Sequence, residues 1–307
     1  MREQKTSEIV QTELDQIVNH DQINDLCLTT GFSELDTYLG GQGLEPGTLT
    51  VIGARPAMGK TSLILNMVHH QLNAIGEHES ILYINASDGK TNIVQRLLAM
   101  SSRVNINDIQ LRRLTDDDKQ SVLDNPLLTS LKADQLVLEN ASSFKIADIE
   151  ALVKHTNSVK KLRLLVVDTI QSLDAEKSKD VDEGYYFIMQ TLQTIAVAYN
   201  IPVIIASDVH RRVEWAKEGR VPKLEDLLGS AHIGHMADNC LMLVRPEYYQ
   251  VPGEYAEENL SEAHLILRKS QHGHTLTVIS LDTELKKQLF LDRNVPFKEL
   301  LHRYSIK

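Results

Sequence analysis

Residues 49–72 read LTVIGARPAMGKTSLILNMVHHQL, and this stretch decides the fold. Leu49 to Ile52 open it as an apolar strand. Gly53-Ala54-Arg55-Pro56-Ala57-Met58-Gly59-Lys60-Thr61 then matches G-x-x-x-x-G-K-[ST] at every position. From Thr61 to Leu72 the apolar residues Leu63, Ile64, Met67 and Val68 recur at helical spacing. Strand, glycine-rich loop and helix, in that order, are the context in which this motif binds a nucleoside triphosphate. The glycines let backbone N–H groups turn toward phosphate oxygens, and the following helix adds its N-terminal dipole. The run from Gly53 through Ser62 is therefore expected to bind the nucleotide, ATP. Lys60 is expected to reach the β- and γ-phosphates, and the Thr61 hydroxyl to ligate Mg²⁺.

Outward from the loop, apolar runs alternate with helical patterns. SILYIN (80–85), LVLEN (136–140), LRLLVVD (162–168), IPVIIAS (201–207), NCLMLVR (239–245), HLILRKS (264–270) and TLTVISL (275–281) read as strands. Helical spacing marks 93–98, 146–155 and 183–199, and short helices fill 100–135. The alternation predicts an α/β fold, a doubly wound and mostly parallel sheet. The last two strands face each other across QHGH as an antiparallel hairpin that closes the sheet. Asp168 ends a run of four apolar residues. A carboxylate at the tip of a buried strand beside the loop is placed to hold Mg²⁺ and its waters.

The chain has 307 residues, enough for one large domain with a small appendage. Asp and Glu number 42 against 32 Lys and Arg, a net charge of -10 that argues against broad nucleic-acid affinity. It leaves room for a local basic loop. Cys27 and Cys240 have no metal or C-x-x-C spacing and read as free thiols. The start of the chain lacks the apolar core of a signal peptide, and no apolar run is long enough to span a bilayer, so a cytoplasmic setting is expected. Residues 7–26 carry an apolar stripe of Ile9, Val10, Leu14, Ile17 and Val18, then Ile23 and Leu26. Such a helix must bury that stripe on its own domain or on a neighbouring subunit. Residues 1–29 are thus read as an amphipathic helix ahead of a domain over 30–307.

Beyond the loop itself, ARPAMGKTS at 54–62, VVDTIQSL at 166–173, SDVHRRVE at 207–214 and RPEYY at 245–249 resemble the RecA-like C-terminal domain of the DnaB replicative helicases. TGFSELD at 30–36 agrees with the start of that domain. The resemblance covers about residues 30–282 and implies a RecA-like P-loop ATPase acting in DNA replication. It assigns Lys60, Thr61 and Asp168 to nucleotide and magnesium. It also implies that helix 7–26 is of linker type and docks on an adjacent subunit, in a homo-oligomer or on a replicative helicase.

Elsewhere the pattern departs. The family's Ser-Leu-Glu, whose Glu polarises the attacking water, is Asn85-Ala86-Ser87 here, with Asp88 next. Asp88 substitutes for that Glu if the strand shifts by one residue, although strand alternation would turn it to the other face. The Ser-Gln that senses the γ-phosphate is Ser207-Asp208. An acid facing a triphosphate is repulsive unless a metal bridges it. Lys-x-Arg, which supplies an arginine finger, reads Lys269-Ser270-Gln271, so Lys269 remains and the finger does not. Such a finger is worth about 10³–10⁵ in rate. In the DNA-facing loop the basic residue has become Leu228.

Arg211 and Arg212 either meet single-stranded DNA or lie as solvated arginines beside Glu214. His272 and His274 read as a polar hairpin loop. Tyr248 and Tyr249 cover an adenine or pack in the core. Slow hydrolysis in a helicase-type domain is therefore expected. The alternatives are a catalytically degenerate partner or loader of a replicative helicase, and a RecA- or RadA-like recombination ATPase.

Overall fold

Strands covered on both faces read as runs of aliphatic residues bounded by polar turns, and the chain builds its core from such strands. The computed structural model describes residues 26–85, 88–140, 145–174, 180–215, 221–249 and 262–293, with the isolated positions 10 and 14. Most of helix 7–26, together with Ala86, Ser87 and the side chains of Trp215 and Tyr249, lies outside the described residues. Val10 and Leu14 are helical and exposed.

Among the described residues, nine strands make one sheet. They are β1 (Leu49–Ala54), β2 (Glu79–Asn85), β3 (Leu136–Asn140), β4 (Lys161–Asp168), β5 (Val203–Asp208), β6 (Asn239–Val244), β7 (Glu262–Lys269), β8 (Thr277–Glu284) and β9 (Leu289–Asp292). Their order is β3-β2-β4-β5-β1-β6-β7-β8-β9, parallel through β6 and antiparallel from β7 onward. Every residue of β1 and β6 is buried, as expected of strands covered on both faces. The fold class read from the sequence is the one observed.

Helices follow the strands. They are α1 (Ser33–Tyr38), α2 (Lys60–Leu72), α3 (Lys90–Ser102), α4 (Ile106–Gln110), α5 (Asp116–Leu123), α6 (Leu127–Lys132), α7 (Ile146–Val159), α8 (Val181–Tyr199) and α9 (Ala231–Met236). α2 buries Leu63, Ile64, Leu65, Met67 and Val68 against the sheet. The Thr115 hydroxyl and the Asp118 carboxylate cap the start of α5 reciprocally.

Two expectations need correction. The sheet does not close at residue 281. β8 runs on to Glu284, and Leu285–Lys287 turn the chain into β9 beside it. Four residues are too few to carry a periodic signal, so β9 left no mark in the sequence. The fifth strand starts at Val203 rather than at Ile201, because Pro202 has no N–H to give a ladder.

Register decides where the site lies. Ala54 stands beside Asp208, and Asn85 stands beside Asp168. The carboxyl ends of β1, β2, β4 and β5 therefore meet along one edge. In open α/β sheets that edge is where ligands bind.

Candidate nucleotide-binding site

A cleft of about 470 Å³ opens at this edge, within the range of small-molecule sites. Arg55, Pro56, Ala57, Gly59, Lys60, Thr61 and Ser62 line it from the loop. Gly53, Ala54 and Met58 lie behind them; Ala54 and Met58 are fully buried. Ala57 (φ 65°) and Gly59 (φ 93°) take left-handed backbone, which turns the loop into α2. Gly53 is required for a different reason from the expected one. It sits in β1 without a positive φ, and a Cβ there would lie 2.7 Å from Leu227 and Met242. It provides room, not conformational freedom.

The loop is braced from β9. A Cβ on Gly59 would lie 3.0 Å from the Phe290 ring. Ser62 donates to Gln288 Oε1 at 2.6 Å, and Asn66 donates to the Gln288 carbonyl at 2.8 Å. The Phe290 N–H returns a bond to Asn66 Oδ1 at 3.2 Å.

At the floor, Asp168 is 1% exposed. Its Oδ2 accepts from Thr61 Oγ1 and from the Tyr83 hydroxyl, each at 2.8 Å. Its Oδ1 is buried and has no hydrogen-bond partner. Burial pushes the Asp168 carboxyl above the usual range, against the pull of the Thr61 and Tyr83 bonds and the Lys60 charge. Burial, and then the Asp168 charge, push Tyr83 well up, which keeps it a donor. The spare carboxylate oxygen next to a threonine hydroxyl fits Mg²⁺, which takes one or two protein oxygens and keeps its waters. Among the described residues, no three His, Cys, Asp or Glu gather to hold a metal by themselves.

Four described cations line the cleft, and each pairs with a carboxylate. Lys60 Nζ meets Asp208 Oδ1 at 2.5 Å. Arg55 Nε meets Glu214 Oε1 at 2.8 Å, and its Nη1 donates to the Val209 carbonyl at 2.8 Å. Arg96 Nε meets Asp88 Oδ2 at 3.1 Å, and Arg245 pairs with Glu247. Arg96 also donates to Gln288 Oε1 at 2.5 Å. Arg96, Tyr83 and Gln288 belong to the site, yet no motif marks them; Arg245 also belongs to it, as the first residue of RPEYY, where the motif assigns it no role. A basic residue one helical turn or more past a strand end was the available signal for Arg96.

Asp88 does line the cleft, and strand alternation does not turn it away. β2 ends at Asn85, whose side chain bonds the Asp88 backbone, so Asp88 stands off the strand where the two-residue period no longer applies. Lys269 does not enter its own chain's cleft. Its Nζ donates to the His235 carbonyl at 2.6 Å at the end of α9. Gln271 donates to Glu45 Oε2 at 2.7 Å.

The basic pair is engaged locally. Arg212 Nε meets Asp226 Oδ1 at 2.7 Å, and Arg211 Nε meets Glu214 Oε2 at 3.4 Å, although both arginine side chains stay more than half exposed. Leu228 is partly exposed, and its N–H donates to the Asp208 carbonyl at 2.7 Å. Gln171 ties Ser207 Oγ, the Asp208 N–H and the Leu228 carbonyl together. His272 pairs with Glu45 and His274 packs edge-on to Tyr38, as a polar hairpin loop would. Tyr248 is partly exposed and does not line the cleft. Burial raises Cys27 to about 11 and Cys240 to about 12, so both stay thiols.

The model of the DnaB-like helicase C-terminal domain matches residues 27–290. The chain belongs to this family. Replicative DNA helicase DnaB of Helicobacter pylori is 29% identical over 252 residues, which span 80% of this chain and 50% of that protein. Replicative DNA helicase DnaC of Bacillus subtilis is 26% identical over 278 residues, 89% of this chain and 59% of that one. The chain thus spans about half the length of these curated relatives. Among solved structures, the ATPase domain of G40P superposes with a TM-score of 0.81 at 21% identity, covering 94% of this chain and 99% of that one. A DnaB-like replicative helicase gives 0.80 at 20% identity, covering 95% and 68%. The RadB recombinase gives 0.54 at 22% identity, covering 87% and 100%. The family match favours the DnaB-like reading over the recombination-type one. No helix among the described residues is long and apolar enough to cross a membrane.

Proposed function

We propose that this chain is an ATP-binding domain of the DnaB helicase type, acting in DNA replication with weakened ATP hydrolysis. The observation that supports this most is the meeting of Thr61 and Asp168 at 2.8 Å beneath the loop, with Asp168 Oδ1 left buried and unpartnered. In this reading Gly53 through Ser62 cradle the phosphates and Lys60 orients the outer ones. Thr61 and Asp168 hold Mg²⁺ through oxygen. When bound, Mg²⁺ supplies neutralising charge to the phosphates. Asp88 is the candidate for positioning the attacking water, once its pair with Arg96 opens. Lys269 acts on a neighbouring subunit. Gln271 cannot donate a guanidinium, which is the reason for slow turnover.

Residues 1–29 serve as a linker helix and 30–307 as the ATPase domain. Through helix 7–26 the chain joins a homo-oligomer or a replicative helicase, and Arg211 and Arg212 offer contacts to single-stranded DNA. The setting is cytoplasmic.

A second reading is a nucleotide-binding partner or loader of a replicative helicase that does not turn over ATP. It draws on the cleft cations and on Arg211 and Arg212, all of which have carboxylate partners within the chain. Steady-state Mg-ATP hydrolysis with and without single-stranded DNA separates the two, with Lys60→Ala as background. DNA-stimulated turnover above that background supports the motor. Tight binding with no turnover supports the partner. Ser87→Glu is expected to raise turnover at saturating Mg-ATP, and no gain would place the block at Asp208 and Gln271 instead.

A further inference from the structure

The lysine of a P-loop is the cation offered to the outer phosphates. In this chain a carboxylate already holds it. Asp208 Oδ1 lies 2.5 Å from Lys60 Nζ, with the lysine side chain 9% exposed and the aspartate 31%. Asp208 itself is fixed from three sides. It stands in register with Ala54, its N–H donates to Gln171 Oε1 at 3.1 Å, and its carbonyl accepts from the Leu228 N–H at 2.7 Å. The carboxylate therefore cannot withdraw by moving its backbone. It can leave Lys60 only by turning about its own short side chain, inside the cleft that it lines.

The other cations do not offset it. Arg55, Arg96 and Arg245 carry Glu214, Asp88 and Glu247 respectively. With Asp168 at the floor, carboxylates at and around the cleft outnumber the cations that line it.

We infer that Asp208 makes this chain a selector of nucleoside diphosphates over nucleoside triphosphates, by holding Lys60 and setting a negative charge where the outermost phosphate would lie. The inference rests on the nucleotide-binding reading above. A diphosphate ends one charged group short of Asp208 and leaves the Lys60–Asp208 pair largely in place. A triphosphate must displace that pair and then accept a like charge beside it. Like charges within about 4–6 Å shift ionisation equilibria by a unit or more, which is tenfold or more in an equilibrium constant.

The test is equilibrium binding, in Mg²⁺, of fluorescent ADP and of a fluorescent β,γ-imido triphosphate that cannot be hydrolysed. The proteins are the full chain and its Asp208→Asn and Lys60→Ala variants. The parent is expected to bind the diphosphate about tenfold tighter or more. Asp208→Asn is expected to raise triphosphate affinity until the two ligands lie within about threefold, with diphosphate affinity nearly unchanged. A parent with no preference overturns the inference and leaves the nucleotide-binding reading intact. So does an Asp208→Asn protein that binds triphosphate more weakly, because Asp208 would then be helping to hold the metal. If neither ligand binds the parent or Asp208→Asn, and both proteins melt cooperatively, the nucleotide-binding reading fails and this inference with it. Should Asp208→Asn not fold, Asp208→Ser carries the same comparison.

Discussion

The floor of the cleft and its rim are built on different principles. At the floor, Thr61, Tyr83 and Asp168 are joined by short bonds from uncharged donors to one buried carboxylate oxygen. The other oxygen is buried and has no hydrogen-bond partner. At the rim every described cation pairs with an acid, and the pairs are partly open to solvent. The floor thus keeps one buried carboxylate oxygen unspent, and in the proposed reading that oxygen serves Mg²⁺. The rim is internally neutralised, each of its cations held by an acid of the same chain. Binding apparatus and turnover apparatus have been set to different degrees of readiness within one site.

Three experiments break or sharpen that contrast. The largest effect is expected from Phe290→Ala, which removes the 3%-exposed ring that packs on Gly59. Truncating a buried Phe typically costs about 3–5 kcal/mol, and the loss should appear in urea unfolding. A loss below about 1 kcal/mol would mean that β9 does not brace the loop.

Next comes Lys60→Ala at the rim. Loss of a charged hydrogen bond to phosphate is worth about 1.5–3 kcal/mol, roughly 10–100-fold in nucleotide affinity. A variant that binds Mg-ATP as tightly as the parent would remove the P-loop assignment.

The smallest effect is expected from Asp168→Asn, and it has a pH signature. Burial raises the Asp168 carboxyl in the folded state. As pH rises past the ordinary carboxylate value, the unfolded chain loses this proton first. The folded state then loses stability relative to it until the raised value is passed. At neutral pH the parent therefore carries a buried charge that the variant lacks. Without nucleotide or Mg²⁺, Asp168→Asn should melt higher than the parent at neutral pH, with the gap closing toward acid. Its nucleotide affinity should also gain less from added Mg²⁺ than the parent's does. Equal melting at all pH values would mean that the floor stores no unfavourable charge.

The loop from Gly53 to Thr61 and the strand ending in Asp168 were legible because each is contiguous. A nine-residue motif and a run of aliphatics both state their own local geometry. Asp88 was misjudged because the alternation rule was extended past Asn85, where the strand stops. Gly53 was given the wrong reason, since a need for space comes from Leu227 and Met242, which are distant in sequence. Arg96 and Gln288 lie in no motif, and Arg245 opens RPEYY without a role that the stretch itself states. Arg96 reaches the site from α3, whose pattern reports only which face is buried, and Arg245 and Gln288 reach it from the chain just after β6 and just before β9.

The sequence by itself determined the parallel α/β sheet, the phosphate-binding loop and the acid opposite it, because period, motif and apolar run are local properties of the chain. Only the tertiary structure decided which charges meet. The pairing of Lys60 with Asp208 follows from the register of β1 on β5, and the bracing of Gly59 follows from β9 returning beside α2. Both are contacts between residues more than a hundred positions apart. Electrostatic energy depends on distance in space, and no spacing along the chain encodes it.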